Sequence, residues 1–441
     1  MLPEAFLLRM EQQLKEEYPD YLASLERPRA VALRFNPLKT NQLPELPFVK
    51  EPVPWADFGY YYDPDARPGL HPWHEAGVYY LQEASAMAPV TLLDPQPGEI
   101  VCDLCAAPGG KTTQIAGKMQ GQGLLVCNEI NPKRAKILSR NIERMGVANA
   151  LVLNHHPSEL ERFFEGAFDR VLVDAPCSGE GMFRKEEAAV TDWSVETVQM
   201  CARRQQEILS TAAKLLRPGG RLVYSTCTFA PDEDEGAVSE FLKRHPDFSV
   251  EAVDAPSLSA GRPDLVEDPA PGLEHTFRLW PHHQRGEGHY AAVLRKSGEA
   301  EPAPEPSKPE KLPKEWEAFA KEMGIYLPEG KPICFGSALF WVPETMPVLK
   351  GLKVLRPGLE LGVCKKDRFE PAHALALWLG TCGNVQDYAA DSPEIAAYMH
   401  GDVTASEKKG WCLVTAGGFS LGWGKGDGRV LKNHYPKGLR R

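Results

Sequence analysis

The stretch EIVCDLCAAPGGKTTQ, residues 99–114, predicts a buried strand, a turn of small residues and a helix that starts at about Lys111. Gly109 and Gly110 let the backbone approach a ligand closely, because neither residue carries a Cβ atom. The free N–H groups and the positive dipole end of the next helix favour a polar or anionic group there. A strand, a glycine-rich turn and a helix at the head of an α/β domain therefore predict a nucleotide-type pocket.

Three kinds of ligand compete for this turn. Gly110-Lys111-Thr112 matches the end of the phosphate-loop pattern, but Cys105 stands where that pattern needs its first glycine. The pair Cys102-x-x-Cys105 suggests redox chemistry or zinc, yet strand residues three apart point to opposite faces, and the chain holds no second C-x-x-C. The third interpretation is the S-adenosylmethionine turn of a Rossmann-like methyltransferase, which motifs further along the chain favour.

Length and composition are those of a globular protein of about three domains. Of the 441 residues, 43% are hydrophobic and 25% charged, and no apolar run approaches the roughly 18 residues of a membrane span. The charged N-terminus predicts an amphipathic helix and not a signal peptide. The ten cysteines lack the spacing of a disulfide framework, which predicts a reducing cytoplasm. The net charge of −10 argues against coating nucleic acid by bulk charge but leaves room for a local basic groove.

Changes in pattern divide the chain into five segments. Residues 1–90 predict an N-terminal α/β RNA-binding region, and residues 91–298 predict the Rossmann-like domain. Residues 299–313 are rich in Pro and Glu and predict a linker. An intermediate domain is expected at residues 314–380, and a small β-rich module with glycine turns at residues 381–441.

Strand-like and helix-like runs alternate through the second segment. The strands are short and continuously apolar, as expected when helices cover both faces of a parallel sheet. This pattern predicts a doubly wound, mostly parallel α/β sheet. Residues 289–295, HYAAVLR, are expected to supply a closing edge strand.

Basic residues near both ends of the chain are candidates for contact with a nucleic-acid backbone, although single basic residues are more often only solvated surface. Arg34 and Lys39 lie in the N-terminal run RFNPLK. The last 17 residues, KGDGRVLKNHYPKGLRR, hold six basic side chains and one acid. A solvated tail is the alternative interpretation, but the interleaved aromatic residues Trp423, His434 and Tyr435 favour a nucleic-acid surface.

Chemistry is expected where the carboxyl ends of the parallel strands meet at one edge of the sheet. Glu129 follows the second strand, where a carboxylate can accept hydrogen bonds from both ribose hydroxyls of a nucleoside. An exposed glutamate at a strand end is the alternative, and the glycine turn favours the ribose role. Asp174 ends the fourth strand, in place to bond the exocyclic amine or a ring nitrogen of a base. Cys177 and Cys227 lie just beyond adjacent strand ends, so both thiols are expected to face one crevice.

Two thiols in one crevice indicate nucleophilic chemistry on a pyrimidine ring. Carbon 5 of cytosine becomes nucleophilic only after a thiolate has attacked carbon 6. It then takes the methyl group from a sulfonium, and a base removes the proton at carbon 5 so that the thiolate leaves. One cysteine therefore attacks, and a second group assists elimination.

Three motifs resemble, in order and spacing, those of the RNA cytosine-5 methyltransferase family, and more closely its RsmF-type ribosomal RNA branch. They are CAAPGGKT (residues 105–112), DAPCSGEG (174–181) and STCTF (225–229). RFNPLK resembles the family's N-terminal motif, and KNHYPKGLR resembles the PUA-like RNA-binding module of the branch. The likeness covers nearly the whole chain.

The resemblance implies that Cys227 is the nucleophile and that Cys177 is needed for release of the product. It also implies a site for S-adenosylmethionine at Glu129, Asp174 and the turn, whose residues are Cys105, Ala106, Ala107, Pro108, Gly109, Gly110 and Lys111. The family often has Asp after the third strand. Here the stretch is Asn154-His155-His156, and His156 is expected to bond or stack on the adenine.

These observations predict a cytoplasmic, S-adenosylmethionine-dependent enzyme that makes 5-methylcytosine in small-subunit (16S) ribosomal RNA. It is expected to act as a monomer, without a membrane or a metal. A transfer RNA cytosine-5 methyltransferase is one alternative. A non-catalytic RNA-binding factor for ribosome assembly is another, although such a factor needs neither Cys177 nor Cys227.

Overall fold

The computed structural model describes residues 2–299, 311–366 and 368–441, in which the strands form four sheets. Most of the linker expected at residues 299–313 lies outside these residues. Within the described ranges, no helix is long and apolar enough to cross a membrane.

The N-terminal region begins with two helices and continues into a four-stranded sheet of order β2-β3-β1-β4. Its elements are α1 (Glu4–Leu14), α2 (Tyr18–Leu25), β1 (Ala32–Phe35), β2 (Val49–Pro52), β3 (Gly59–Tyr62), α3 (Pro72–Glu75), β4 (Tyr79–Leu81) and α4 (Ala88–Leu93).

The central domain alternates strands and helices. Its elements are β5 (Ile100–Asp103), α5 (Gly110–Met119), β6 (Leu124–Asn128), α6 (Pro132–Arg144), β7 (Ala150–Leu153), α7 (Glu161–Phe164), β8 (Phe168–Asp174), α8 (Glu187–Thr191), α9 (Val195–Leu215), β9 (Leu216–Thr226), α10 (Glu235–Arg244), β10 (Phe248–Val250), β11 (Ser259–Ala260), β12 (Phe277–Leu279) and β13 (His289–Lys296).

The C-terminal part holds a four-stranded and a five-stranded sheet. Its elements are α11 (Lys314–Met323), β14 (Lys331–Phe335), β15 (Ala338–Val342), β16 (Val354–Pro357), β17 (Leu359–Lys365), β18 (Arg368–Pro371), α12 (His373–Trp378), β19 (Val385–Tyr388), α13 (Pro393–His400), β20 (Thr404–Ala405), β21 (Lys409–Ala416), β22 (Phe419–Asp427) and β23 (Val430–Asn433).

The central sheet confirms the predicted doubly wound architecture. Strand β5 lies between β6 and β8, with both pairings parallel, and β7 and β9 continue the sheet on either side. The chain fills one half of the sheet outward from β5 and then returns to fill the other. The crevice beyond the carboxyl ends of the strands at such a reversal is where open α/β sheets bind ligands.

The margins of the central sheet differ from the prediction. Strand β13 was expected at the edge, but it lies inside the sheet, antiparallel to both β9 and β12. At the opposite margin β16, from the expected intermediate domain, pairs with β7. This pairing covers backbone N–H and C=O groups that an edge strand would otherwise expose. The central sheet is therefore completed by a segment about 200 residues further along the chain.

Arg34 and Lys39 contact protein, so the prediction that they meet an RNA backbone is wrong. Arg34 is only 2% exposed, and its guanidinium donates to the Gln82 side chain and the Gly110 carbonyl at 3.0 Å each. Lys39 Nζ donates to the Leu377 carbonyl. A buried cation needs hydrogen-bond acceptors, and these carbonyl and amide groups supply them. The contacts attach the N-terminal sheet to α5 and to the C-terminal part.

Trp423 and Tyr435 are also buried. The prediction that these two rings form a surface for RNA is therefore wrong. The Trp423 indole donates to the Ala372 carbonyl at 2.8 Å. Tyr435 belongs to a core cluster shared by the N-terminal sheet and the C-terminal module, which includes Phe35 and Val414. The first and last segments of the chain therefore fold against each other.

Replacing Arg34 tests this assignment of a structural role. The Arg34→Ala variant leaves buried acceptors without a donor, which is expected to lower the free energy of unfolding by roughly 2–4 kcal/mol. Urea denaturation measures the change. The Lys50→Ala variant is the matched control, since Lys50 is half exposed on the same sheet and is expected to change stability little. Equal effects of the two substitutions would contradict the structural role of Arg34.

Candidate active site

An ion pair joins the start of α5 to the end of β8. Lys111 Nζ lies 2.8 Å from Asp174 Oδ2, while Asp174 Oδ1 accepts a hydrogen bond from Ser225 Oγ at 2.8 Å. Burial alone would lower the pKa of Lys111, but the Asp174 carboxylate raises it above its ordinary value. Burial alone would raise the pKa of Asp174, but Lys111 holds it well below its usual range. Both side chains are therefore charged at neutral pH.

His289 lies beside this ion pair, although no pattern in the sequence marked it as a site residue. Its Nε2 atom is 3.5 Å from Asp174 Oδ1, and its side chain is almost fully buried. Burial and the nearby Lys111 lower its pKa, so the imidazole is neutral at pH 7. The only available signal was a polar residue at the start of an apolar strand, in the run GEGHYAAVL.

The two predicted thiols come together in the crevice. The Sγ atoms of Cys177 and Cys227 are 3.4 Å apart. Strands β8 and β9 pair in parallel, so their carboxyl ends lie side by side. The turns that follow the two strands are joined by a 2.8 Å hydrogen bond between Ser178 Oγ and Thr228 Oγ1. A side chain at Gly181 would come within 3.0 Å of the Cys227 carbonyl. The glycine thus permits the close approach of the two turns.

The surroundings of the two thiols differ in charge. The hydrogen bond to Cys227, burial and the nearby Glu233 raise the pKa of Cys177 well above its ordinary value. Glu233 is completely buried, and its Oε2 accepts the Ser178 N–H at 2.9 Å. Burial raises the pKa of Glu233 to about 7. Lys111, in contrast, is close enough for electrostatic interaction with Cys227. A carboxyl group thus faces one thiol and an ammonium group the other.

The turn after β5 offers polar groups that a nucleoside ligand can bind. Gly109 has φ = 114°, and no side chain caps the start of α5, so the first N–H groups of the helix remain available. Asp103 is 1% exposed, and its Oδ1 atom has no hydrogen-bond partner among the described residues. Burial raises the pKa of Asp103 to about 7. A buried carboxyl oxygen without a partner indicates room for a donor from a ligand.

The other predicted cofactor residues surround this turn. Burial, together with the nearby carboxylates of Asp103, Asp174 and Glu129, raises the pKa of Cys105. The backbone from Ala106 to Lys111 forms the turn itself. Glu129 is buried at the end of β6, and its Oε1 accepts the Asn131 N–H at 2.8 Å.

The two histidines after β7 have different surroundings. His155 is buried, and its Nε2 accepts the Lys353 N–H at 2.8 Å, so it ties this turn to the intermediate segment. His156 is exposed, and its Nδ1 lies 2.8 Å from Ser158 Oγ. Contact of His156 with the adenine of a cofactor stays a prediction.

Together, the doubly wound sheet, the glycine turn, the strand-end carboxylates and the paired thiols define a Rossmann-like methyltransferase. Comparison with protein families agrees along most of the chain. The family described as "16S rRNA methyltransferase RsmB/F" matches residues 90–295. The N-terminal domain of 16S rRNA methyltransferase RsmF, the RsmF first C-terminal domain and the methyltransferase RsmF PUA domain match residues 2–84, 318–379 and 385–441.

Individual relatives support the same assignment. Ribosomal RNA small subunit methyltransferase F of Klebsiella pneumoniae (strain 342) is 34% identical over 100% of this chain and 96% of its own length. The protein of the same name from Shewanella piezotolerans is 34% identical over 95% and 93%. A crystal structure of a methyltransferase homolog protein from Pyrococcus horikoshii is 29% identical, covers 67% of this chain and 95% of its own, and superposes with a TM-score of 0.60. The chain belongs to the 16S rRNA methyltransferase RsmB/F family.

The influence of Glu233 on Cys177 predicts a change in thiol reactivity. The Glu233→Gln substitution keeps an acceptor for the Ser178 N–H but removes the negative charge that forms above about pH 7. Cys177 is therefore expected to ionise at lower pH. Mass spectrometry of iodoacetamide-labelled peptides across a pH series measures this shift, with Glu240→Gln on the exposed side of α10 as the control. An unchanged labelling profile for Cys177 would contradict the electrostatic influence of Glu233.

Proposed function

We propose that this chain methylates carbon 5 of a cytosine in 16S ribosomal RNA, with S-adenosylmethionine as methyl donor, through a covalent bond between Cys227 and the base. It acts as a cytoplasmic monomer and needs no metal for methyl transfer. The observation that carries this proposal is the pair of thiols 3.4 Å apart, in the turns that follow the paired ends of β8 and β9. A transferase that methylates an exocyclic amine or a ribose hydroxyl has no use for that pair.

The turn, Glu129 and Asp174 hold the cofactor in this proposal. The N–H groups at the start of α5 and the buried carboxylates offer hydrogen bonds to its polar groups. Glu129 would accept hydrogen bonds from the ribose hydroxyls, and His156 would contact the adenine. When bound, S-adenosylmethionine supplies an electrophilic methyl group on its sulfonium.

Each residue of the crevice has a separate part in the reaction. The Cys227 thiolate, which lies close enough to Lys111 for electrostatic interaction, forms a bond with carbon 6 of the cytosine. Asp174, held by Lys111 and Ser225, orients the base by accepting from its exocyclic amine. Once carbon 5 carries the methyl group, a base supplied by solvent takes the proton from carbon 5. That electron pair re-forms the double bond between carbons 5 and 6, and the Cys227 sulfur leaves as a thiolate. Cys177, kept protonated by its surroundings, assists the departure of the Cys227 sulfur.

A row of basic and aromatic side chains on the C-terminal module is the proposed RNA-binding surface. Trp411, Lys425 and Lys432 lie opposite one another on β21, β22 and β23, and so share one face of the sheet. Lys425 Nζ is 5.3 Å from the centre of the Trp411 ring, and the His434 ring is 4.6 Å from it. Exposed lysines bind phosphates, while an aromatic face stacks on a base.

Substitution of the two cysteines separates attack from release. Cys227→Ala is expected to abolish both methylation and any covalent RNA complex, since no other group attacks carbon 6. Cys177→Ala is expected to permit attack and methyl transfer but to slow release, so that a protein–RNA adduct accumulates. Denaturing electrophoresis with labelled 16S rRNA detects the adduct, which should require S-adenosylmethionine. An adduct with the Cys227 variant alone would reverse the roles, and full activity of both variants would refute the mechanism.

Neutralising the row on the C-terminal module tests its role in RNA binding. The Lys425→Ala, Lys432→Ala double variant is expected to bind 16S rRNA more weakly, and to lower the slope of log K against log salt by about 0.7 for each lost contact with a single strand. Filter binding over a salt series measures both quantities. The Lys214→Ala, Lys243→Ala variant is the control, since these exposed lysines pair with acids on the central domain. Equal slopes for the two double variants would exclude the row as a phosphate-binding surface.

A further inference from the structure

A second cluster of ionisable side chains lies outside the active site, between the N-terminal helices and the turn after β12. Glu17, in the connection between α1 and α2, points at His282 and His283. Its Oε2 atom lies 3.0 Å from His282 Nε2 and 2.9 Å from His283 Nε2. The three potential ligand atoms all lie within 4.8 Å of one another. Two imidazoles and one carboxylate thus converge on a single point.

This donor set has the composition of a zinc site. Imidazole nitrogen and carboxylate oxygen are ordinary Zn²⁺ ligands, whereas Ca²⁺ and Mg²⁺ prefer oxygen alone. A tetrahedral ion at ~2.1 Å from each donor separates the donors by about 3.4 Å. The observed separations from Glu17 are close to that value, so only small side-chain movements are needed.

The surroundings of the cluster fit an open site. His282 is almost fully buried, whereas Glu17 and His283 are about half exposed, which leaves an entry path and a position for water. Ser259 Oγ lies 3.2 Å from His283 Nδ1 and orients that ring, as outer partners of metal-bound histidines do. In the metal-free arrangement, both imidazole nitrogens compete for the same carboxylate oxygen. A cation at the centre gives each of the three donors its own bond.

We propose that Glu17, His282 and His283 bind a Zn²⁺ ion that fastens the N-terminal helices to the central domain. The ligands are separated by about 265 residues of chain, so an ion bound in the folded state joins two segments that are distant in sequence. Trp280, two residues before His282, stacks on Phe229 at 5.3 Å between ring centres. Phe229 follows Cys227 by two residues, so the site supports the turn that carries the thiol. The ion itself takes no part in methyl transfer, and this inference stands independently of the proposed function.

Metal binding to the full chain tests this inference. Protein dialysed against EDTA is titrated with Zn²⁺ alone, and binding is followed by calorimetry and by the rise in melting temperature. The wild-type chain is expected to gain a binding step and a higher Tm, because an ion that binds only the folded state stabilises it. His283→Asn and Glu17→Gln are expected to lose that step while melting like the wild type in EDTA. His275→Asn is the matched control, since His275 is an exposed histidine beside an acid, Glu274, without a third ligand.

Thiols also bind zinc, so a second measurement identifies the ligands. Co²⁺ substituted into the wild-type chain is expected to give the visible absorption of a tetrahedral site without a thiolate-to-metal charge-transfer band. That absorption should disappear in His283→Asn and persist in His275→Asn. The inference is overturned if no Zn²⁺ binds, if His283→Asn binds as the wild type does, or if the Co²⁺ spectrum is that of a thiolate site.

Discussion

The ion pair between Lys111 and Asp174 is the contact on which the rest of the site depends. It joins the first turn of α5 to the end of β8, which are 63 residues apart in the chain. The ion pair keeps the Asp174 carboxylate charged and in place, while Ser225 and His289 contact its Oδ1 atom. The same ammonium group supplies the positive charge near Cys227. One contact thus sets both the position of the Asp174 carboxylate and the charge near Cys227.

Parallel strand pairing brings these groups together, and the outer segments hold the arrangement in place. Arg34 binds the first turn of α5 from the N-terminal side, and β16 covers the free edge of the central sheet. The N-terminal sheet and the C-terminal module share a core. The N-terminal sheet, the central domain and the C-terminal module are therefore parts of one packed body.

Much of the central domain follows from local sequence pattern. Continuously apolar runs and the glycine turn predicted the doubly wound sheet, and the strand ends predicted that Cys177 and Cys227 meet. Residue type alone does not reveal burial, so Arg34, Trp423 and Tyr435 were assigned to an RNA surface although they are buried. Pairing between distant segments left no local signal, as for β16. His289 escaped notice because its importance comes from Asp174, which lies 115 residues earlier in the chain.

The central claim is that the chain methylates carbon 5 of a cytosine by way of attack on carbon 6. A direct measurement uses 16S rRNA that carries tritium at carbon 5 of its cytidines, incubated with the protein and S-adenosylmethionine labelled in its methyl group. Each methyl group that enters carbon 5 displaces the hydrogen there, so the account predicts equal amounts of methyl incorporated and tritium released to water. Methyl incorporation without tritium release would place the methyl group on another atom and contradict the account.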